Sequence, residues 1–145
     1  MQWGTRTFHL VDTSRTELFS QSKTAPREPM VKLWYPAQKP AKDKPAPFVA
    51  DFEIGGPAIA RRLGFPPFTV RHIDLVRTHS HEEALLLPGA KRFPTVIFSH
   101  GYMGIRSQNT WQMEALASQG YVVVAPNHTY GAIITVFPDD RVVLG

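Results

Sequence analysis

Gly101 and Gly104 lie in the string Ser99-His100-Gly101-Tyr102-Met103-Gly104, after an apolar run and before a helix-like one. Glycine lets the main chain approach a ligand closely and turn peptide N–H groups outward. A helix start just beyond would favour negative charge. Together these are the needs of an oxyanion hole, whose donors must be in place before the charge develops. The spacing fits neither the dinucleotide fingerprint Gly-x-Gly-x-x-Gly nor a phosphate loop ending in Gly-Lys-Ser/Thr. A tight strand-to-helix turn that needs glycine for geometry alone has the same residues, and both readings stay open here.

Other reactive side chains form weaker patterns. His79, His81, Glu82 and Glu83 include a His-x-His pair, which on a strand would share one face. Closed metal sites take four ligands and catalytic ones three plus water. No third group has supporting spacing, so no metal is expected, and residues 79–83 read as a surface loop. Ser80 beside His79 and His81 does not make a nucleophile and its base, because such partners normally lie far apart in sequence. Asp12, Arg15 and Glu17 are expected to form a buried structural ion pair, and Trp34 and Tyr35 to pack in the core. His100 is expected to orient the glycine loop through hydrogen bonds.

The elements that must position this loop follow from periodicity. Thr7–Asp12 alternates apolar and polar residues, as a half-buried strand does. Thr13–Glu28 is polar and reads as a connection. Met30–Pro36 is β-rich and ends on a proline, which cannot donate to a ladder, so the two strands are predicted as an antiparallel pair at a sheet edge. Residues 38–92 are a loop-rich excursion. Within it Pro57–Gly64 predicts a short helix with proline near its start, Phe68–Val76 an amphipathic run, and Pro88-Gly89 a turn. Thr95–Ser99 predicts a strand buried on both faces. Ser107 or Asn109 is placed to cap a helix that runs to Gly120, and Tyr121–Pro126 is a second apolar strand. Residues 93–128 therefore read as a βαβ unit of a parallel sheet. The tail predicts two short strands around Pro138-Asp139-Asp140. The expected fold class is α/β.

Composition narrows the choice. A chain of 145 residues suggests one domain. Hydrophobic residues at 43% and charged residues at 19% exclude a disordered or coiled-coil chain. Of the 13 prolines, 11 fall between Pro26 and Pro94, which argues against a helical bundle. The absence of cysteine excludes disulfides, thiolate metal sites and a thiol nucleophile, and leaves the compartment open. The net charge of +4 is modest. Lys39, Lys42 and Lys44, interleaved with Pro40, Asp43, Pro45 and Pro47, read as a solvated linker, so no nucleic-acid partner is expected. No run approaches the ~20 apolar residues of a membrane span. The first residues lack the apolar core of a signal peptide, and localisation stays unassigned.

Phe98–Arg106 resembles the oxyanion loop of α/β-hydrolases, and more narrowly that of the plasma-type platelet-activating-factor acetylhydrolase family (group VII phospholipase A2-like) and its bacterial relatives. Val11–Glu17, Pro26-Arg27-Glu28 and, most specifically, Leu33-Trp34-Tyr35-Pro36-Ala37 are similar to that family's pattern. So are Thr78-His79-Ser80, Glu82-Glu83-Ala84, Asn127–Ala132 and Phe137–Arg141. Asn127 stands where the pattern has aspartate, and Asp140 where it has glycine.

This resemblance implies the N-terminal portion of an α/β-hydrolase fold, with an antiparallel edge pair, a parallel βαβ unit and an incomplete sheet. It implies a serine ester hydrolase working through an acyl-enzyme on short or oxidised acyl esters, phospholipid sn-2 esters among them. Membrane contact would come through such a substrate, and no cofactor is implied. The backbone N–H of Tyr102 would be an oxyanion donor, with His100, Gly101, Gly104 and Arg106 as its supporting loop. The family nucleophile sits in Gly-x-Ser-x-Gly, and Ser14, Ser20, Ser22, Ser80, Ser99, Ser107 and Ser118 all lack that frame. Elbow, acid and catalytic histidine are thus expected beyond Gly145, in the remainder of the same domain. No catalytic residue is expected within these residues, and the isolated chain is expected to be inactive and poorly soluble or incompletely folded. The alternative is a non-catalytic truncated product or an anion-binding βαβ module.

Overall fold

The computed structural model describes residues 2–39, 44–89 and 92–145. In chain order the elements are β1 (Gln2–His9), β2 (Asp12–Thr16), β3 (Pro26–Arg27), β4 (Met30–Ala37), β5 (Pro45–Pro47) and α1 (Phe52–Arg62). A 3-10 helix (Pro67–Leu75) follows, then β6 (Arg77–Glu82), β7 (Thr95–Ile97), α2 (Thr110–Ser118), β8 (Val122–Asn127), β9 (Ile134–Val136) and β10 (Val142–Leu144). One six-stranded sheet has the order β5-β6-β1-β4-β8-β7, and β2–β3 and β9–β10 form separate two-stranded ladders.

The βαβ unit is present. β7 and β8 run parallel, with Thr95 opposite Val122 and Ile97 opposite Val124, and α2 connects them. Apolar residues make the helix pack: Met113 and Ala117 of α2 join Trp34, Val123 and Ala125 of the sheet in one buried cluster, with Trp3, Phe98 and Leu116 around it. Trp34 is fully buried, so its assignment to the core holds. Tyr35 lies in a second cluster with Ala37 and Ala84, and its hydroxyl donates to the Ala84 carbonyl at 2.8 Å. Gly4 makes room for that ring, since a Cβ there would sit 2.6 Å from Tyr35 Cε2.

Several expectations are corrected. The first strand is Gln2–His9 rather than Thr7–Asp12, and the polar connection contains the β2–β3 ladder. β1 and β4 are antiparallel partners, but they occupy the middle of the sheet and not its edge. Pro36 is tolerated because β8 pairs β4 only over Met30–Trp34, so the proline falls beyond that ladder. α1 begins at Phe52, which leaves Pro57 inside the helix. The run from Phe68 is a 3-10 helix with no buried residue. Residues 79–82 belong to β6 instead of a loop.

β7 is not buried on both faces. It is the last strand of the sheet, and Ile97 is 72% exposed. Asp12 and Arg15 do pair, at 2.5 Å, but on the surface. Hydrogen bonds from Ser14 and Arg15 pull the Asp12 carboxyl down to about 2. Glu17 faces Arg27 instead, at 3.6 Å. In the lysine-rich stretch Lys39 and Lys44 are exposed, while Pro40, Lys42 and Asp43 lie outside the described residues. The β9–β10 hairpin matches the two strands expected in the tail.

Candidate oxyanion site

The C-terminal ends of β7 and β8 lie side by side, and the loop 100–106 leaves the sheet there. His100 is 5% exposed. Its Nδ1 lies 2.8 Å from the Gly101 carbonyl oxygen, which can only accept, so Nδ1 carries the proton. The other ring nitrogen, Nε2, is then an acceptor, and it receives the His128 backbone N–H at 3.0 Å. The Gly104 N–H donates to the same Gly101 oxygen at 2.9 Å.

Those two bonds fix more than a carbonyl. Gly101 C=O and Tyr102 N–H belong to one planar trans peptide unit and point in opposite directions. Holding the oxygen therefore aims the Tyr102 N–H. Among the described residues no protein group accepts from that N–H, and the Tyr102 ring is 84% exposed.

The two glycines divide the readings left open by sequence. A Cβ on Gly104 would collide with the Gln108 side chain and lie 2.9 Å from the Gly101 oxygen, so geometry alone demands glycine there. A Cβ on Gly101 would meet nothing within 4 Å and would only fill open space in front of the loop. The strained residue is a third one, Met103, at φ 62°.

A second loop braces the first. The Met103 N–H donates to the Gly131 carbonyl at 2.8 Å, and the Ile133 N–H to the Gly104 carbonyl at 3.2 Å. Asn127, 1% exposed, accepts the Arg106 N–H at 3.0 Å. Its amide nitrogen donates to the Ile134 carbonyl at 2.9 Å and the Thr135 hydroxyl at 2.8 Å. The Arg106 guanidinium turns away from the loop mouth to lie 4.0 Å from Asp51, and burial lowers its pKa.

His100, Gly101, Tyr102 and Gly104 thus come together, and Arg106 serves from behind through its backbone. The helix expected behind Ser107 or Asn109 starts at Thr110. Asn109 is the residue before it, but its side chain bonds Gln112 instead of capping. The Ser107 carbonyl takes the Thr110 hydroxyl.

Sequence reasoning missed Ser99 and His128. Ser99 Oγ lies 2.7 Å from His128 Nε2, and both residues are exposed at the strand ends. Burial, then His100, then Arg27 lower the His128 pKa from its ordinary value. The one signal available was position: each residue closely follows one of two adjacent parallel strands. Beside His128 opens a cleft of about 200 Å³, lined by Asp12, Arg15, Glu17, Arg27 and Glu28.

The histidines of β6 are engaged elsewhere. His79 Nδ1 lies 3.3 Å from Glu114, His81 Nε2 is 3.1 Å from Gln2 Oε1, and Glu83 pairs with Arg6 at 2.8 Å. Among the described residues no group of three His, Asp or Glu side chains could hold a metal ion. No helix among them is long and apolar enough to cross a membrane.

No curated protein matches the chain. The solved structure of a ferulic acid esterase from Streptomyces cinnamoneus is similar to it, with a TM-score of 0.78 and 35% identity. That match covers 99% of this chain and 38% of the esterase chain, so the present chain spans well under half the length of its relative. Residues 16–143 match the family described as platelet-activating factor acetylhydrolase, isoform II. With nearly all its residues inside that match, and with a structure similar to that of an esterase of the α/β-hydrolase fold, the chain belongs to the platelet-activating factor acetylhydrolase isoform II family.

Proposed function

We propose that this chain supplies the oxyanion-loop part of a serine ester hydrolase that acts on small-molecule or lipid esters through an acyl-enzyme. The observation that carries the reading is the Gly101–Tyr102 peptide, whose oxygen is held by His100 and Gly104 while no group among the described residues accepts from its N–H. In acyl transfer such an N–H takes the negative charge of the tetrahedral intermediate, and losing one donor typically costs ~10²–10³ in kcat. Family membership and the esterase neighbour support ester hydrolysis.

The nucleophile, its acid and its base are expected in sequence beyond residue 145, because no Gly-x-Ser-x-Gly occurs among the 145 residues. A strand following β7 on its open side would bring that elbow beside Tyr102. Short acyl chains, including acetylated or oxidised phospholipids, are the substrates the family suggests. The charged cleft beside His128 is unsuited to an acyl tail, so the acyl pocket is assigned to residues downstream.

The test is the gene beyond codon 145, which should encode Gly-x-Ser-x-Gly within about one further βαβ unit, ~30 or more residues. The encoded enzyme should hydrolyse p-nitrophenyl acetate and lose that activity to a serine-directed phosphonate. A stop codon followed by unrelated sequence would sink the reading and favour a non-catalytic product.

A further inference from the structure

His128 is committed at three points, which is unusual for an exposed loop residue. Its N–H reaches His100 Nε2 at 3.0 Å. Its carbonyl accepts the N–H groups of Gly131 and Ala132, both at 2.7 Å, which closes the turn whose Gly131 carbonyl holds Met103. Its ring meets the Ser99 hydroxyl at 2.7 Å and packs at 4.7 Å, centroid to centroid, on the His100 ring.

These bonds form one connected path. The hydroxyl of Ser99 holds the His128 ring, the His128 backbone sets the tilt of His100, and His100 sets the Gly101–Tyr102 peptide. The Ser99 hydroxyl and the His128 ring hold each other at 2.7 Å, and burial disfavours the charged form of that ring. Ser99 and His128 also have the look of a nucleophile and its base, but among the described residues no carboxylate is bonded to the His128 ring to orient it, as a catalytic pair requires.

We infer that Ser99 and His128 are positioning residues that aim the Tyr102 N–H, with the 127–133 turn acting as the brace of the oxyanion loop. This rests on the oxyanion role proposed for Tyr102. The pair touches no reacting atom. Its loss misaims a donor instead of removing it, so the cost falls below that of deleting the donor.

The experiment uses the full-length enzyme that carries this chain, with p-nitrophenyl acetate as substrate. Ser99→Ala and His128→Ala are expected to lower kcat about 10- to 100-fold while KM stays within twofold, a fraction of the ~10²–10³ for a lost donor. Ser99→Thr, which keeps the hydroxyl, should restore most of kcat. Unchanged kcat in both alanine variants would overturn the inference. So would failure of the threonine rescue in a protein of unchanged melting temperature. Complete loss of both turnover and phosphonate labelling in Ser99→Ala would also overturn it, because Ser99 would then be the nucleophile. A wild type without turnover would defeat the esterase reading itself. The inference is then judged by ¹⁵N NMR on the same protein, where Ser99→Ala must shift the Tyr102 amide and the His100 ring nitrogens. No shift there would overturn it independently.

Discussion

The Glu114 carboxylate on α2 accepts the Ser80 hydroxyl of β6 at 2.6 Å. The same oxygen takes the backbone N–H groups of His79 and Ser80, each at 2.8 Å. One buried carboxylate therefore joins the helix of the βαβ unit to the far side of the sheet. Glu114→Ala leaves the three donors to this oxygen unpaired, besides releasing the exposed His79 ring from the other, and should cost about 3 kcal/mol, while Ser80→Ala, which removes one donor from a satisfied acceptor, should cost about 1 kcal/mol. Urea denaturation of both variants checks the ratio, and equal losses would contradict this account.

Asn127 uses both ends of its side-chain amide. Its side-chain oxygen accepts from Arg106, and its nitrogen donates to Ile134 and Thr135. An ionised aspartate could accept but not donate. Asn127→Asp is expected to lose about 2–4 kcal/mol at pH 7, since a buried charge would face the Ile134 carbonyl. Thermal melting at pH 7 measures this, and a neutral result would show that the amide donations carry no weight.

Asp140 is a second position to test. It sits in the β9–β10 turn at φ 62°, a left-handed conformation that suits glycine. Asp140→Gly should stabilise the chain by about 0.5–1 kcal/mol, or a few degrees in Tm. Scanning calorimetry decides it, with a fall in Tm as the contrary outcome.

Lys32 brings a pH dependence. It is 3% exposed, and burial, aided by Arg106 and opposed by Glu82 and Glu114, takes its ammonium from 10.5 down to about 8. Between those values the unfolded chain holds a proton that the folded chain has released, so stability rises with pH across that window. At pH 7 both states are protonated and the full penalty is present. Lys32→Met should gain about 1–3 kcal/mol at pH 7, less whatever the ammonium draws from the Trp34 ring 5.0 Å away, and should flatten the rise. Denaturant midpoints at pH 7 and 10 test this, and identical slopes for both proteins would refute it.

The βαβ unit was legible because its signals are local. Apolar runs give β7 and β8, and Gly120, at φ 91°, ends α2 where a glycine breaker was expected. The glycine loop was legible for the same reason. β6 was not, because Arg-Thr-His-Ser-His-Glu looks like a polar loop until the Glu114 carboxylate of a distant helix supplies its acceptors. Likewise nothing in the spacing of Ser99 and His128, 29 residues apart, announces their hydrogen bond. Only the parallel register of two strands brings them together. The edge assignment for β1 and β4 failed because Pro36 marks the end of one ladder, not the border of the sheet.

The strand order also governs assembly in time. β1 finds β4 within the first 37 residues, yet its other side waits for His81 and Glu82, which pair with Gly4 and Thr5. Closing that span is slow by loop entropy, and parallel pairing gains nothing until it is made. On a ribosome the β1–β4 hairpin would therefore form early and stand with an open flank while most of the excursion is still being synthesised. The first strand of this chain thus stays open along one flank until Glu82 has emerged.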